Sequence, residues 1–339
     1  MWIYGSKKGT TMRICEMRNA TSVVKFVAAL LVVNGHLFAY YSGMTSIVQW
    51  VNLGAQCISL FLFFSAYGLM CSFERKGKAY IDDFLSRRLV RIIIPLVTAY
   101  ILSLVAYRVF IGEIDWWNVL ATLSWGGPYM KFSWYVTEIL VLYGLFYVCG
   151  RFCRDIRSLS IVLSISVVVI MGMLIVAQQP LWYINGLPCF IMGIAYQRYE
   201  DRILAYLSLN KISTIASLTL LFLLFFQWRY VSENVSVLSA YRYTYMAIYL
   251  NNILFVALII AIMTSFVKTT EIAAGGGITG CFYEVYLLQR AMMIVCTSFQ
   301  LSFWWIWVLT FLTLLPLSLL VHKLNELLIG LANAKKVRK

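Results

Sequence analysis

The sequence predicts an all-α protein, a polytopic membrane bundle of about ten transmembrane helices with both termini in the cytoplasm. Of its 339 residues, 62% are hydrophobic and 12% are charged, and the mean hydropathy is +0.81. Soluble domains carry about 25% charged residues, so this composition excludes an ordinary soluble domain. The lengths of the apolar runs and the distribution of Lys and Arg then define the spans and their direction.

Ten apolar runs bounded by charges are each close to the roughly 20 residues that a transmembrane helix requires. The runs are unbroken, and helices are expected because a helix satisfies its own backbone hydrogen bonds in lipid. The predicted spans cover residues 21–41, 50–72, 89–110, 132–149, 158–176, 182–198, 212–228, 244–266, 281–298 and 301–321. They form one domain, 21–329, between a basic cytoplasmic N-terminal segment, 1–20, and a basic cytoplasmic tail, 330–339.

Lysine and arginine are distributed unevenly between the two sides of this arrangement. With the N-terminus inside, 22 of the 28 cationic residues fall in cytoplasmic segments, as the positive-inside rule requires. The four in outer segments are Arg108, Lys131, Arg229 and Arg242. The net charge of +14 therefore reflects topology, and no nucleic acid partner is expected. The predicted location is the inner membrane, as a multi-pass protein.

The eight cysteines stand mostly inside apolar runs and lack metal-ligand spacing. This pattern is typical of small buried hydrophobic residues. No metal site and no disulfide framework are expected.

The first span, "VVKFVAALLVVNGHLFAYY", carries Lys25 and His36. A charged group inside hydrocarbon costs roughly 2.5 kcal/mol or more on insertion scales, so both are candidates for function. Eleven residues, about 16 Å of helix, separate them, and the small Ala29 and Val32 lie between them on nearly the same face. Such a face would suit a substrate track. Two simpler explanations also fit: Lys25 reaches the inner headgroups, and His36 bonds a neighbouring helix.

The fourth span begins "FSWYVTEIL" and places Glu138 at about the depth of His36. A carboxylate beside an imidazole fixes its tautomer and raises its basicity, as a general base acting on a hydroxyl requires. The sequence leaves two alternatives open: Glu138 pairs with Lys131, or it is hydrated at the mouth of the bundle.

Three arginines, Arg87, Arg88 and Arg91, cluster at the inner end of the third span in "FLSRRLVRIIIPLV". Arg87 and Arg91 are four residues apart and share one helical face, and guanidinium pairs at that spacing suit phosphates. A positive-inside anchor on anionic lipid explains the same cluster, and composition alone favours the anchor.

The order and content of these segments resemble the membrane-bound acyltransferase family 3, which O-acylates sugars and other hydroxyl acceptors. The family opens with Arg, ten residues and His, where this chain has Lys25, "FVAALLVVNG" and His36. The further matching segments are "LFLFFSAYGLM" with Ser65, Ala66 and Tyr67, "FLSRRLVRIIIP", the Trp134-Tyr135-x-x-Glu138 start, "GLPCFIMGIAY" and "FYEVYLLQ". The resemblance covers nearly the whole chain.

Three residues depart from the family pattern. Lys25 replaces Arg, which keeps the charge but loses the bidentate fork. Ala66 replaces Gly, and Gln289 stands where many members have His, so no second catalytic histidine is expected at 289. The His of the opening motif, His36, is present.

The resemblance implies acyl transfer across the membrane, from cytoplasmic acyl-CoA, usually acetyl-CoA, to an acceptor on the outer face. Acetyl-CoA would be a co-substrate, with no permanently bound cofactor. In this interpretation the arginine cluster holds the nucleotide and the pantetheine arm follows the track from Lys25. His36 acts as general base or carries the acyl group, with Glu138 beside it. Ser65 and Tyr67 would line the donor path, and Trp134 would contact substrate.

The expected acceptor is a glycan or lipid-linked sugar. The outer segments 111–131 and 229–243 are aromatic and polar, and Trp116, Trp117 and Trp125 could stack on sugar rings. An interfacial aromatic belt explains the same residues. The main alternative function is a polytopic transporter or flippase, although no repeat halves are visible. A purely structural subunit would leave Lys25 and His36 unexplained, and homo-oligomerisation is left open.

Overall fold

The computed structural model of the protein describes residues 13–40, 52–122, 127–234, 241–266 and 278–337. Within these ranges the chain is helical, with no β-strand. The helices are α1 (Arg18–Tyr40), α2 (Gly54–Lys76), α3 (Lys78–Asp82), α4 (Phe84–Phe110), α5 (Trp116–Thr122), α6 (Trp134–Phe152), α7 (Ile156–Val176), α8 (Leu187–Asn234), α9 (Tyr241–Phe266), α10 (Phe282–Ser298) and α11 (Phe303–Val337). Short 3₁₀ turns lie at Ile14–Glu16, Leu181–Tyr183 and Thr279–Cys281.

The described residues form a polytopic helical bundle, which confirms the predicted fold class. Eight helices are long and apolar enough to cross a membrane: α1, α2, α4, α6, α7, α8, α9 and α11. The sequence predicted about ten spans, and two features account for the difference. Helix α8 contains most of the predicted span 182–198 and all of the span 212–228, and α10 has only 17 residues.

Helix α8 is two helices joined at Asn210, whose φ of −124° and ψ of 25° are not helical. Its first half packs on α2, where the backbone carbonyl of Phe63 approaches Gly193. Its second half packs on α9, since Asn251 Nδ2 donates to the carbonyl of Phe222 over 3.3 Å. The kink therefore allows one continuous helical segment to supply both predicted spans.

Helix α2 is the central helix of the bundle, and 83% of the residues in its most apolar stretch are buried. Helix α7 is much less buried, and only 22% of its most apolar stretch lies inside the bundle. Its exposed face is apolar and includes Ile165, Val168 and Met173. A soluble protein rarely exposes such a surface, whereas a lipid-facing helix requires one. Burial and hydropathy together define a multi-pass membrane protein.

The segments that were predicted to share one side of the membrane lie together. Arg13, Glu74, Arg157 and Arg198, from four separate predicted cytoplasmic segments or span ends, line one cavity of about 330 Å³. At the same face the Lys78 ammonium donates to the carbonyl of Arg151. These segments therefore share one side of the bundle.

Candidate functional site

Two cavities lie beside α1, one at Lys25 and the other at His36, eleven residues further along the helix. The first, here called the lysine cavity, has a volume of about 380 Å³. The second, here called the histidine cavity, has a volume of about 570 Å³. The lysine cavity is lined by, among others, Lys25, Ser65, Arg88, Arg91, Glu284 and Tyr286. The histidine cavity is lined by, among others, His36, Asn52, Lys131, Trp134, Trp182 and Asn185.

His36 is held on two sides of its ring. Its Nδ1 lies 2.8 Å from Oε1 of Gln289 on α10. The ring also stacks on Phe132, with centroids 3.8 Å apart and planes 9° from parallel. The imidazole therefore has one orientation at the wall of the histidine cavity, which is a requirement for a general base or nucleophile.

The expected pairing of His36 with Glu138 is not formed, and that prediction was wrong. Glu138 is buried, and neither of its carboxylate oxygens has a hydrogen-bond partner among the described residues. The amide of Gln289 occupies the position beside Nδ1 instead. Helical spacing places Glu138 on α6, but it could not give the rotation of α6 relative to α1.

Lys25 lies at the wall of the lysine cavity, beside two aromatic rings. Its Nζ is 5.3 Å from the ring centroid of Phe64 and 5.5 Å from that of Phe282. An ammonium over an aromatic face is stabilised by the ring quadrupole. Lys25 thus points into a protein cavity shared with Arg88 and Arg91, and not only towards headgroups.

The three arginines separate into two groups. Arg88 and Arg91 line the lysine cavity, and the Arg88 guanidinium donates to the Tyr80 hydroxyl over 3.0 and 3.2 Å. Arg87 is exposed, forms an ion pair with Asp83 at 2.5 Å, and does not line the cavity. The face predicted from the spacing, with Arg87 and Arg91 together, is corrected to the i, i+3 pair Arg88 and Arg91.

Ser65 and Tyr67 also separate. Ser65 lines the lysine cavity, as predicted. The Tyr67 hydroxyl lies 2.8 Å from both carboxylate oxygens of Glu200 and accepts the Cys15 amide N–H over 3.1 Å. The Ile14 amide N–H donates to the same carboxylate over 2.9 Å. Tyr67 therefore links the N-terminal segment to Glu200 on α8. It does not line the lysine cavity, so its predicted position on the donor path is not observed.

The predicted open track between Lys25 and His36 is closed in this structure. Ala29 and Val32 are both 0% exposed. Tyr286 lines the lysine cavity and its hydroxyl donates to the carbonyl of Phe132, whose ring lines the histidine cavity. Tyr286 and Phe132 form an aromatic partition between the two cavities.

Sequence reasoning missed a polar cluster in the lysine cavity. Asn325 Nδ2 donates to Glu284 Oε1 over 3.1 Å, and His322 Nδ1 lies 3.1 Å from Glu284 Oε2. His322 and Asn325 lie one helical turn apart in the second half of α11, and this spacing is visible in the sequence. The pairing with Glu284 joins α11 to α10 and could not be read from spacing.

The aromatic residues near the predicted outer face are only partly at the site. Trp134 and Trp182 line the histidine cavity, which agrees with substrate contact by Trp134. Trp116 and Trp117 on α5 are exposed and line neither cavity. Trp125 and the segment 235–240 lie outside the described residues. In the part of the chain that the structure describes, no group of three His, Cys, Asp or Glu side chains is placed to hold a metal ion.

Comparison with known families assigns the class of this protein. The family model described as an acyltransferase domain, acyltransferase 3, matches residues 19–323, which include Lys25, His36 and most of the residues that line the two cavities. The chain belongs to this acyltransferase family and is a multi-pass membrane acyltransferase. The searches of curated proteins and of solved structures gave no match.

Proposed function

We propose that the protein moves an acetyl group from acetyl-CoA in the lysine cavity to a hydroxyl of a glycan or lipid-linked sugar in the histidine cavity. The observation that carries this proposal is the pair of cavities on one helix, one lined by cations and the other by an oriented imidazole. A single aromatic partition separates them. The distribution of Lys and Arg supports a cytoplasmic position for the lysine cavity.

The donor end of this proposal rests on charge. Lys25, Arg88 and Arg91 converge on the lysine cavity, and CoA carries several phosphate charges. Guanidinium groups bind phosphate oxygens in pairs, and these hydrogen bonds are about twice as strong as neutral ones. Ser65 and Tyr286 line the same cavity, and the uncharged pantetheine arm would pass beside them.

The acceptor end rests on shape and hydrogen bonding. Trp134 and Trp182 offer aromatic faces in the histidine cavity, and aromatic faces stack on the apolar side of sugar rings. Asn185 Oδ1 is buried there without a hydrogen-bond partner among the described residues. A buried carbonyl oxygen gains from accepting a hydroxyl proton. These groups support a polyhydroxylated acceptor.

The reaction then needs one base. An imidazole nitrogen of His36 takes the proton of the acceptor hydroxyl as that oxygen attacks the thioester carbonyl. The carbon–sulfur bond breaks, the acetyl ester forms, and the imidazolium returns the proton to the CoA thiolate. The partition of Tyr286 and Phe132 must move aside for the thioester to reach His36. In the second route His36 itself carries the acetyl group before the acceptor receives it.

The test is a radiolabelled acetyl-CoA assay in proteoliposomes, with free and lipid-linked N-acetylglucosamine oligosaccharides as acceptor probes. Acyl transfer predicts that CoA thiol release and labelled glycan rise together. A burst of CoA equal to the enzyme concentration without acceptor would identify the acyl-histidine route. Vesicle accumulation of label without CoA release would contradict acyl transfer and support the transporter alternative.

A further inference from the structure

Gln289 is an almost fully buried amide, 1% exposed, that bonds to two groups at once. Its Nε2 donates to the backbone carbonyl of Tyr286 over 2.7 Å, one turn earlier on α10. Its Oε1 lies 2.8 Å from Nδ1 of His36 on α1. The two bonds join the partition residue Tyr286 to the imidazole through one side chain.

These contacts define which way the amide faces. A backbone carbonyl only accepts hydrogen bonds, so the atom that faces Tyr286 must be the NH₂ group. Exchanging the two ends would place Oε1 against the Tyr286 oxygen and lose that bond. The carbonyl end of Gln289 is therefore the end that faces His36.

The same reasoning extends to the proton on the imidazole. An amide oxygen has no proton to give, so the 2.8 Å contact is a hydrogen bond only if His36 Nδ1 carries the proton. In a neutral imidazole the other nitrogen, Nε2, then holds the free lone pair. Phe132 stacks on the ring and stabilises its plane, but it contributes no preference between the two nitrogens.

We infer that Gln289 is a positioning residue that holds His36 in the Nδ1–H tautomer and thereby makes Nε2 the reactive nitrogen. This inference rests on the proposed acyl transfer for its consequence, but the tautomer itself is a property of the protein. A neutral amide performs here the orienting task that a carboxylate performs in a Ser-His-Asp triad. It does so without placing a second charge in the membrane-embedded site.

The direct test is nitrogen NMR of ¹⁵N-histidine-labelled protein in nanodiscs, at a pH where the imidazole is neutral. The chain has two histidines, His36 and His322, so the His322→Asn variant assigns the His36 signals. We expect a protonated Nδ1 and an unprotonated Nε2 in the otherwise unchanged protein. Observation of His36 with the proton on Nε2 would overturn the inference without reference to any activity.

Two variants connect the tautomer to the reaction. Gln289→Met keeps the side-chain length and removes the acceptor, so the Nδ1–H population should fall and kcat should drop about tenfold. The KM values for donor and acceptor should stay within about twofold, because the lost bond acts on the base and not on binding. Gln289→Glu as the protonated acid restores an acceptor oxygen towards Nδ1 and a donor towards the Tyr286 carbonyl, so it should recover the tautomer and most of kcat.

A Met variant with wild-type tautomer or wild-type kcat would contradict the positioning role. A misfolded Gln289→Met variant would be recognised by its lowered unfolding temperature. The NMR measurement of His36 in protein that keeps Gln289 would then decide whether Nδ1 carries the proton. If no acyl transfer is found with any donor, the proposed function fails while the tautomer measurement retains its meaning.

Discussion

At the scale of single residues, His36 is the group on which the proposed chemistry depends. It is the one histidine at the histidine cavity, and its ring is held by Gln289 and Phe132. Removing a general base typically costs 10²–10⁴-fold in rate. We expect His36→Ala to reduce acetyl transfer in proteoliposomes by about that factor while acetyl-CoA binding remains.

The matched control for this variant is His36→Gln, which can keep a polar contact to Gln289 but cannot act as a base at neutral pH. Both variants should lose turnover equally, and both should keep an unfolding temperature close to wild type. Turnover near the wild-type rate in either variant would remove His36 from the mechanism.

The arginines offer a comparison between neighbouring residues of the same helix. A lipid anchor needs only positive charge, whereas a phosphate clamp uses the planar fork that Lys lacks. Because a charge-assisted hydrogen bond contributes about 1.5–3 kcal/mol, Arg88→Lys and Arg91→Lys should each raise the donor KM about tenfold or more. Arg87→Lys should leave it unchanged, since Arg87 pairs with Asp83 outside the cavity.

Donor and acceptor kinetics should be measured separately for all three arginine variants. The acceptor KM should be the same in each, because the acceptor is assigned to the other cavity. An equal rise in donor KM for all three substitutions would contradict the assignment of Arg88 and Arg91 as the phosphate-binding pair, because Arg87 does not line the cavity. No effect of any of them would place the donor elsewhere.

At the scale of helices, the contact of α2 with α8 depends on a close backbone approach at Gly193. A Cβ added there would lie 2.5 Å from the Phe63 carbonyl oxygen and 3.0 Å from Ala66 Cβ. The backbone cannot give way as a flexible side chain can, so overpacking should cost about 1–3 kcal/mol. We expect Gly193→Ala to lower the thermal unfolding temperature in detergent.

Gly68→Ala, on α2 itself, is the matched control because an added Cβ there meets nothing within 4 Å. Ala is the better helix former by up to about 1 kcal/mol, so this variant should be neutral or slightly stabilising. Equal destabilisation by both substitutions would show that the loss of stability in Gly193→Ala does not come from the α2–α8 contact.

At the scale of the whole molecule, the prediction concerns the side of the membrane on which each segment lies. Both termini should be cytoplasmic, as should position 78, whereas position 120 should face outwards. Single cysteines introduced at Lys78 and Leu120 can be labelled with a membrane-impermeant reagent. The background is low, because seven of the eight native cysteines are buried and Cys15 is partly buried. Labelling of position 78 from outside would reverse the orientation and the assignment of the donor cavity.

The class of the fold and the position of the reactive helix follow from the sequence alone. Long apolar runs admit only helices in lipid, and this local requirement applies whatever the neighbours are. The spacing of Lys25 and His36 is likewise a property of one helix. The structure places both at cavities, but the open track that their spacing suggested is closed.

The partners of those residues were decided only by the tertiary structure. Gln289, 253 positions along the chain, bonds to His36, while Glu138 does not. Helical periodicity gives the face of a side chain on its own helix, but not the rotation and height of the helix packed against that face. The same limit applies to Tyr67, which bonds to Glu200, and to Tyr286, which closes the track. These contacts depend on the packing of helices that are distant in sequence. Two side chains at the same depth meet only if the rotation of each helix directs its side chain towards the other.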